Sequence, residues 1–325
     1  MLRCFLFLKG AFIKGIITRI ESKDYYVLPL EEDDLIRCSL KGKFKKEFAL
    51  KKDKLYHTDI AVIGDFVDIN RNADGTGVIH SIDKRKNYVS RKAPRLKGAG
   101  HRGERLEQII AANIDKLIIV SSVAEPEFNN KVIDRFIVAG ESSHINITIV
   151  INKIDLIEDD SIDKWTKLYQ DIGYTVIKSS AAAGKGLDKL KEELRGSNNL
   201  LWGHSGVGKS SLLNKIYPGL TLDVGEISSF TDKGTHTTVT SIMLKLEENT
   251  SIIDTPGVRE IDPFGIRKED LCHYFIEFLP YLQRCHFNRC THFHEPDCAV
   301  IEAVENEEIS LERYESYLRI LKTIS

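Results

Sequence analysis

The octapeptide Gly203-His204-Ser205-Gly206-Val207-Gly208-Lys209-Ser210 constrains the fold of this chain more than any other feature. It matches the phosphate-loop pattern G-x-x-x-x-G-K-[ST], with an apolar segment before it and an amphipathic segment after it. Glycines let backbone N–H groups wrap around phosphates, and a following helix directs its N-terminus at the same anion. The sequence therefore predicts a strand, a phosphate-binding loop and a helix within an α/β sheet.

Each position of this loop has a predicted task. The backbone of Gly203, His204, Ser205, Gly206, Val207 and Gly208 is expected to surround the phosphates, with Ser211 completing the contact. Lys209 would place its ammonium between the β- and γ-phosphates, where it also serves catalysis. The Ser210 hydroxyl suits Mg²⁺, a hard ion that prefers oxygen ligands. This loop alone does not distinguish ATP from GTP.

A guanine-specific motif, Asn152-Lys153-Ile154-Asp155, follows an apolar strand earlier in the chain. The Asp155 carboxylate can accept hydrogen bonds from both N1–H and N2–H₂ of guanine, a donor pair that adenine lacks. We predict that Asn152 braces neighbouring loops and that the Lys153 stem covers the base. Further along, Ser180 or Ala181 would donate a backbone N–H to guanine O6. The expected ligand is GTP or GDP, and its base-reading motif precedes the phosphate loop, the reverse of the usual order.

Two further segments resemble nucleotide-dependent switches. Asp254-Thr255-Pro256-Gly257 matches D-x-x-G, so Asp254 is expected to hold Mg²⁺ through water while the Gly257 N–H contacts the γ-phosphate. Upstream, Gly234-Thr235-His236-Thr237-Thr238 lies in a polar stretch. One of its threonines should complete the magnesium shell, and we favour Thr238 over Thr237.

The residue after this D-x-x-G motif is Val258, where many GTPases carry a glutamine that orients the attacking water. Valine cannot hydrogen-bond to water. We therefore predict that His236 orients the water as the catalytic group. The alternative, that His236 only folds its loop or contacts a partner, stays open.

A metal site is predicted near the C-terminus. The spacing Cys285-x₄-Cys290-x-His292-x₅-Cys298 supplies three thiolates and one imidazole, the ligand set of a closed tetrahedral structural zinc site. His286 and His294 lie in the same segment, so the choice of histidine is not unique. Three cysteines leave no open position for catalysis by the metal.

The order of short strands and helices predicts a multidomain chain. Residues 1–90 read as five short strands, typical of an OB-like β-barrel that binds RNA. Residues 91–270 alternate strand and helix, typical of a doubly wound α/β GTPase domain, and residues 271–325 form a mostly α zinc-binding domain. The strand that ends near Gly257 leads towards the zinc domain, which could transmit the state of the nucleotide.

Charge is distributed unevenly along the chain. Residues 1–105 carry a net charge of +9 and the remainder −11. Residues 91–105 form a predicted basic loop, and basic residues concentrate in and just before it: Lys84, Arg85, Lys86, Arg91, Lys92, Arg95, Lys97, Arg102 and Arg105. Such a block indicates a phosphate-rich partner, chiefly nucleic acid, although a solvated linker would show the same composition.

The location of the protein is predicted from its apolar segments and cysteines. The run Cys4–Leu8 is too short for a signal peptide and is interpreted as part of a first strand. No apolar stretch approaches the roughly 18–20 residues that span a bilayer. The clustered cysteines favour a thiolate metal site over disulfides, so we expect a cytoplasmic protein without membrane contact.

The joint order of these motifs resembles that of the ribosome small-subunit-dependent GTPase A family, and the resemblance covers nearly the whole chain. It implies a circularly permuted GTPase with an N-terminal OB domain and a C-terminal zinc domain. It further implies a role in late maturation of the small ribosomal subunit, contact with rRNA, and hydrolysis stimulated by the subunit. We separately expect the chain to be a monomer. The switch histidine and threonines of the family match His236, Thr237 and Thr238, but Val239 stands where a third threonine is expected.

Two other function classes compete with this interpretation. A non-hydrolytic RNA-binding scaffold would use the nucleotide only as a structural ligand, and stimulation of GTP turnover by small subunits would exclude it. An ATP-using phosphate-loop protein of the kinase kind would prefer ATP over GTP in a binding competition.

Overall fold

The structure, a computed structural model, describes residues 12–44, 60–92, 107–220, 241–254 and 265–324. The switch residues His236, Thr237, Thr238, Gly257 and Val258 lie outside these ranges. So do the segment Met1–Ala11 and the part of the predicted basic loop from Ala93 to Arg105. Expectations for these residues stay predictions.

A closed five-stranded β-barrel forms the N-terminal part of the described chain. Its strands are β1 (Ile13–Glu21), β2 (Asp24–Pro29), β3 (Ile36–Leu40), β4 (Phe66–Arg71) and β5 (Gly77–Ile82). They pair in the order β1-β2-β3-β5-β4, and β4 pairs back onto β1. The parallel β3–β5 pair with antiparallel neighbours closes the barrel in the manner of an OB fold. Alternation in β3 directs Ile36, Cys38 and Leu40 into the barrel core.

One predicted strand is shorter than its sequence pattern indicated. The apolar pattern predicts a strand from Ile60 to Ile69, but β4 begins only at Phe66. The reason is Asp65, whose fully buried carboxylate accepts the Val62 N–H at 2.8 Å and pairs with Arg85 at 2.7 Å. These contacts fold residues 60–65 into a turn, and Arg85 is consequently a structural partner rather than a free cation of the basic block.

A two-stranded antiparallel sheet follows the barrel. It consists of β6 (Tyr88–Lys92) and β7 (Glu107–Ala112) and flanks the remainder of the basic segment. Arg91 and Lys92, predicted as loop residues, belong to β6, and Arg91 donates to Gln108 across the sheet at 3.0 Å. These two residues are therefore in a strand rather than in the predicted loop, and the rest of that predicted loop lies outside the described residues.

A mostly parallel sheet forms the centre of the molecule. Its strands are β8 (Lys116–Ser122), β9 (Asn146–Asn152), β10 (Thr175–Lys178), β11 (Asn198–Trp202), β12 (Ile242–Glu247) and β13 (Thr250–Asp254). They lie in the order β10-β9-β8-β11-β13-β12, and only β12 is antiparallel to its neighbour. The middle of β8 and of β9 is largely apolar because helices cover both faces of a parallel sheet, whereas Lys116, Asn146 and Asn152 stand at strand ends.

Within the described residues, four helices cover this sheet: α1 (Asn130–Ser142), α2 (Asp163–Ile172), α3 (Leu187–Leu194) and α4 (Lys209–Ile216). The sheet continues into the barrel, because β12 pairs with β1 at Arg19 and Ile242. The strands of the barrel and of the central sheet therefore form one continuous sheet of eleven described strands.

The C-terminal part is helical, as predicted. It contains two 3₁₀ turns (Leu271–Tyr274 and Ile276–Phe278) and the helices α5 (Leu279–Leu282), α6 (Ala299–Glu305) and α7 (Leu311–Thr323). Its apolar core includes Phe275, Phe278 and Tyr317 together with Val138 of α1, so the C-terminal unit packs directly on a helix of the central sheet. Across the part of the chain that the structure describes, no helix has the length and apolar character needed to cross a membrane.

Candidate functional site

The phosphate loop connects β11 to α4 at the carboxyl edge of the central sheet, where open α/β sheets bind ligands. Gly206 and Gly208 have φ angles of +84° and +97°, in the left-handed region that favours glycine. A Cβ atom on Gly208 would lie 2.3 Å from Nδ2 of Asn152, so this glycine also permits a close approach of the guanine motif. The backbone therefore has the conformation that surrounds a phosphate.

Lys209 begins helix α4 and folds back over its own loop. Its ammonium donates to the carbonyl oxygens of Gly203 at 2.7 Å and His204 at 3.1 Å. Burial lowers the pKa of Lys209, and the nearby Asp254 carboxylate opposes that shift. Ser210 is buried at the next position, and Asp254 is buried at the end of β13, beside β11 in the sheet. The Lys209 ammonium, the Ser210 hydroxyl and the Asp254 carboxylate thus belong to the carboxyl ends of two neighbouring parallel strands.

Asn152, at the end of β9, joins the guanine motif to two other loops. Its Nδ2 donates to the Val207 carbonyl oxygen of the phosphate loop at 2.9 Å. Its Oδ1 accepts from the Ser179 hydroxyl and from the Ala181 N–H, each at 3.3 Å. Because Asn152 is buried, these bonds replace water and fix the three loops relative to one another.

Asp155 is exposed in a 3₁₀ turn that follows Lys153, whose φ of +64° turns the chain sharply. One Asp155 carboxylate oxygen accepts a hydrogen bond from the buried Ser180 hydroxyl, which itself accepts from the Ala183 N–H at 2.9 Å. The carboxylate is therefore oriented while its other oxygen can accept from a ligand. Ser180 and Ala181 are the two predicted donors to guanine O6. In this structure the Ser180 N–H donates to the Lys185 carbonyl oxygen at 2.9 Å and the Ala181 N–H to Asn152 at 3.3 Å.

A cavity of about 720 Å³ lies between these motifs. Its lining includes Asn152, Lys153, Asp155 and Ala181 on one side and Gly208 and Ser211 on the other. The lining also includes five residues that no sequence motif predicts: Leu156, Ala182, Asn214, Lys215 and Pro218. Asn214 follows Ser211 by three positions on α4, so helical spacing is the signal that could have identified it.

The predicted metal ligands also converge. The ligand atoms of Cys285, Cys290, His292 and Cys298 all lie within 4.8 Å of one another. The sulfur atoms of Cys285 and Cys298 are 3.9 Å apart, and His292 Nδ1 is 3.3 Å from the Cys298 sulfur. Tetrahedral zinc with Zn–S bonds of about 2.3 Å requires sulfur separations of about 3.8 Å, so this group fits zinc.

The structure distinguishes His292 from its neighbours. His292 is buried with a left-handed φ of +53°, whereas His286 and His294 are exposed. Burial lowers the pKa of His292, which favours the neutral imidazole that binds a metal ion. The Tyr314 hydroxyl donates to the His292 carbonyl oxygen at 2.8 Å and fixes the backbone of this ligand.

Glu295 organises the loop between the last two ligands. It accepts hydrogen bonds from the Thr291 N–H and hydroxyl and from the N–H groups of Phe293 and His294. Partial burial acts to raise the pKa of Glu295, but the hydrogen bonds from Thr291 and the backbone outweigh it and hold the pKa well below its ordinary value. The loop therefore depends on an ionised carboxylate.

Comparison with known proteins decides the family. The model of the RsgA GTPase family matches residues 82–264. The chain belongs to the RsgA GTPase family. It is therefore a GTPase that binds guanine nucleotide, and the resemblance noted in the sequence is confirmed.

Relatives of this RsgA GTPase family member extend over nearly its whole length. It is 38% identical to the small ribosomal subunit biogenesis GTPase RsgA 2 of Bacteroides thetaiotaomicron, over 95% of this chain and 96% of that protein. It is 37% identical to the RsgA of Thermotoga maritima, over 94% and 95%.

Two solved structures are similar to this RsgA GTPase family member. YjeQ from Thermotoga maritima matches with a TM-score of 0.75 and 34% identity, over 97% of this chain and 99% of that one. YloQ, described as a circularly permuted GTPase, matches with a TM-score of 0.70 and 28% identity, over 98% and 96%. These matches confirm the predicted combination of a barrel, a GTPase domain and a helical C-terminal region.

Proposed function

We propose that this chain hydrolyses GTP as a switch in the late maturation of the small ribosomal subunit, with its activity stimulated by that subunit. One observation carries the nucleotide part of this proposal. The 2.9 Å contact from Asn152 to Val207 joins the guanine motif and the phosphate loop around one cavity, although 55 residues separate them. The ribosomal part rests on the relatives, which are named small ribosomal subunit biogenesis GTPases.

We assign the nucleotide contacts as follows. Asp155 reads guanine, Lys153 covers the base, and Ser180 orients Asp155. The phosphate loop and Lys209 hold the phosphates, as the 2.7 Å contact from Lys209 to Gly203 supports. Ser210 and Thr238 would bind Mg²⁺ directly and Asp254 through water, and Gly257 would contact the γ-phosphate. The bound Mg²⁺ would neutralise charge on the β- and γ-phosphates.

We propose that His236 orients the attacking water in place of the glutamine that Val258 replaces. An imidazole nitrogen can accept a hydrogen bond from water. The bond turns a lone pair of the water oxygen towards phosphorus. The sequence supports this role, because His236 is the imidazole-bearing residue of the segment Gly234-Thr235-His236-Thr237-Thr238.

We further propose that Cys285, Cys290, His292 and Cys298 hold one structural Zn²⁺. The ligand separations support this assignment. Zinc would stabilise the segment 285–298, whose large apolar side chains Phe287 and Phe293 are exposed rather than packed in a core. The proposed domains are residues 1–90, 91–270 and 271–325. We propose that the chain acts as a cytoplasmic monomer, because one chain already supplies both the nucleotide cavity and the metal ligands.

Contact with rRNA is proposed through the barrel, the basic loop and the zinc domain. Support comes from the charge of the segment around residues 91–105 and from exposed Arg284 and Arg289 on the zinc domain. Backbone phosphates are attracted by such residues without regard to sequence.

The deciding experiment is GTP turnover titrated with purified small subunits. We expect turnover to rise and saturate as subunits are added, and ATP turnover to stay at background. Turnover that ignores the subunits would instead support an RNA-binding scaffold, and a preference for ATP would overturn the assignment of Asp155.

A further inference from the structure

The segment Val123–Asn129, between β8 and α1, adjoins both nucleotide-binding motifs. The Val123 N–H donates to the Asn152 carbonyl oxygen at 3.0 Å, and the Lys153 ammonium donates to the Glu125 carbonyl oxygen. A Cβ atom built on Gly206 would lie 3.6 Å from Cδ of Pro126, so the proline ring lies beside the phosphate loop. The segment Val123–Asn129 contains no recognised motif, yet it lies beside both the guanine motif and the phosphate loop.

The same segment leads directly into helix α1. The Asn129 side chain accepts the Lys131 N–H at 3.1 Å and caps the helix. One turn later, Asp134 is fully buried. It accepts hydrogen bonds from Tyr169 at 2.9 Å and from Asn130 at 3.5 Å. The position of Val123–Asn129 therefore depends on how the first turn of α1 is fixed.

Arg313, on helix α7 of the C-terminal unit, is the partner that fixes this turn. Its Nη1 donates to Asp134 at 2.6 Å, and its Nε donates to Glu277 at 2.6 Å. The guanidinium lies 4.5 Å from the centroid of the Phe275 ring. Arg313 and Asp134 are both essentially inaccessible to water. If one of the two side chains is removed, water therefore cannot solvate the charge of the other.

We propose that Arg313 is a positioning residue for guanine nucleotide binding. It holds Asp134 and the start of α1, which places Val123–Asn129 against Lys153 and Gly206. The C-terminal unit thereby sets the rate at which nucleotide leaves, by a route that does not use the switch segments. This inference rests on the nucleotide site proposed above, and it concerns nucleotide release rather than hydrolysis.

The test is the dissociation rate of fluorescently labelled GDP from the full chain, measured by displacement with excess GDP. Arg313→Met removes the charge with little loss of volume, and we expect release to become roughly tenfold faster, the size of an ordinary coupling between sites. Arg313→Lys keeps a charge near Asp134 but loses the planar fork to Glu277, so its rate should lie between those of Arg313→Met and wild type.

The matched control is Ile309→Ala. Ile309 is buried in the same C-terminal core, and the hydrogen bonds of Arg313 go to Asp134 and Glu277 rather than to this residue. We expect this variant to lose thermal stability while its GDP release stays within twofold of wild type. Equal acceleration in Arg313→Met and Ile309→Ala would show a general loss of stability and overturn the positioning role, as would unchanged release in Arg313→Met.

If Arg313→Met does not fold, Asp134→Asn decides the question. Asparagine keeps the shape of Asp134 but removes its charge, so faster release supports the role and wild-type release overturns it. Guanine nucleotide binding by the wild-type protein distinguishes a failure of this proposal from a failure of the proposed function. A wild type that fails to bind guanine nucleotide overturns both, whereas normal binding with unchanged release in the variants overturns the positioning role alone.

Discussion

Nδ2 of Asn152 lies 2.9 Å from the carbonyl oxygen of Val207, so a side chain at the end of β9 supports the phosphate loop that follows β11. This contact makes one site from two motifs that stand in reversed order along the chain. Gly208 permits it, because any Cβ at that position would collide with the Asn152 amide.

Asn152→Ala should weaken GDP binding by roughly 10- to 100-fold. The substitution leaves the buried Val207 carbonyl oxygen and the Ser179 hydroxyl without their partner, which costs about 1–3 kcal/mol in such positions. Isothermal titration calorimetry measures the change. Asn146→Ala, at the exposed start of the same strand, is the control and should bind GDP as wild type does. Equal loss in both variants would contradict the bracing role.

Asp155→Asn should weaken GTP binding by roughly a hundredfold or more and leave the weak binding of ATP unchanged. Asparagine presents a donor to the N1–H and N2–H₂ of guanine, where the site requires an acceptor. Competition against labelled GDP measures both affinities. Asp160→Asn changes an exposed carboxylate five residues away and should have no effect. A parallel loss of GTP and ATP binding would show that Asp155 is structural.

His236→Ala should lower the rate of GTP hydrolysis in the presence of small subunits by roughly 100-fold and keep the affinity for GTP within twofold. Loss of a group that orients water affects the transition state more than the bound substrate. Single-turnover hydrolysis and a separate binding titration distinguish these quantities. His204→Ala removes the other imidazole of the nucleotide-binding segments and should have a much smaller effect on hydrolysis. Unaltered hydrolysis in His236→Ala would leave the histidine with a partner-binding or folding role.

Cys290→Ser should reduce the zinc content from about one ion per chain to near zero and lower the thermal midpoint of the C-terminal unit. Structural zinc contributes on the order of 10 kcal/mol to the folding of small segments. Elemental analysis and calorimetry measure the two effects. Cys272→Ser is a strict control, because Cys272 is a buried thiol in the same core that lies outside the four-residue cluster. It should retain zinc, and loss of zinc from both variants would argue against the assigned ligand set.

The affinity for small-subunit rRNA should fall steeply as salt concentration rises. Each phosphate contact contributes about 0.7–0.9 to the slope of log affinity against log salt concentration. Substituting glutamine for four basic residues together should reduce that slope: Arg91, Lys92, Arg95 and Lys97. Filter binding across a salt series measures it. The double variant Lys167→Gln and Lys189→Gln, on exposed helix faces, should leave the slope unchanged. A flat salt response in the wild type would contradict a phosphate contact.

The sequence determined the local chemistry of this protein. A phosphate loop, a guanine motif and a Cys₃His group each require particular residue types at short, fixed spacing, so they are visible without coordinates. Strand and helix order followed from apolar periodicity, and it predicted the barrel, the α/β sheet and the helical C-terminal region. The errors occurred where a buried side chain overrides that periodicity, as Asp65 does in shortening β4.

Only the tertiary structure decided the contacts between distant segments. Three histidines were candidate metal ligands, and backbone direction and burial selected His292. The border formed by Val123–Asn129 has no motif, and Arg313 lies 179 residues from Asp134. A buried charge must find an opposite charge because water cannot reach it, but sequence spacing does not reveal which partner the fold brings within 2.6 Å.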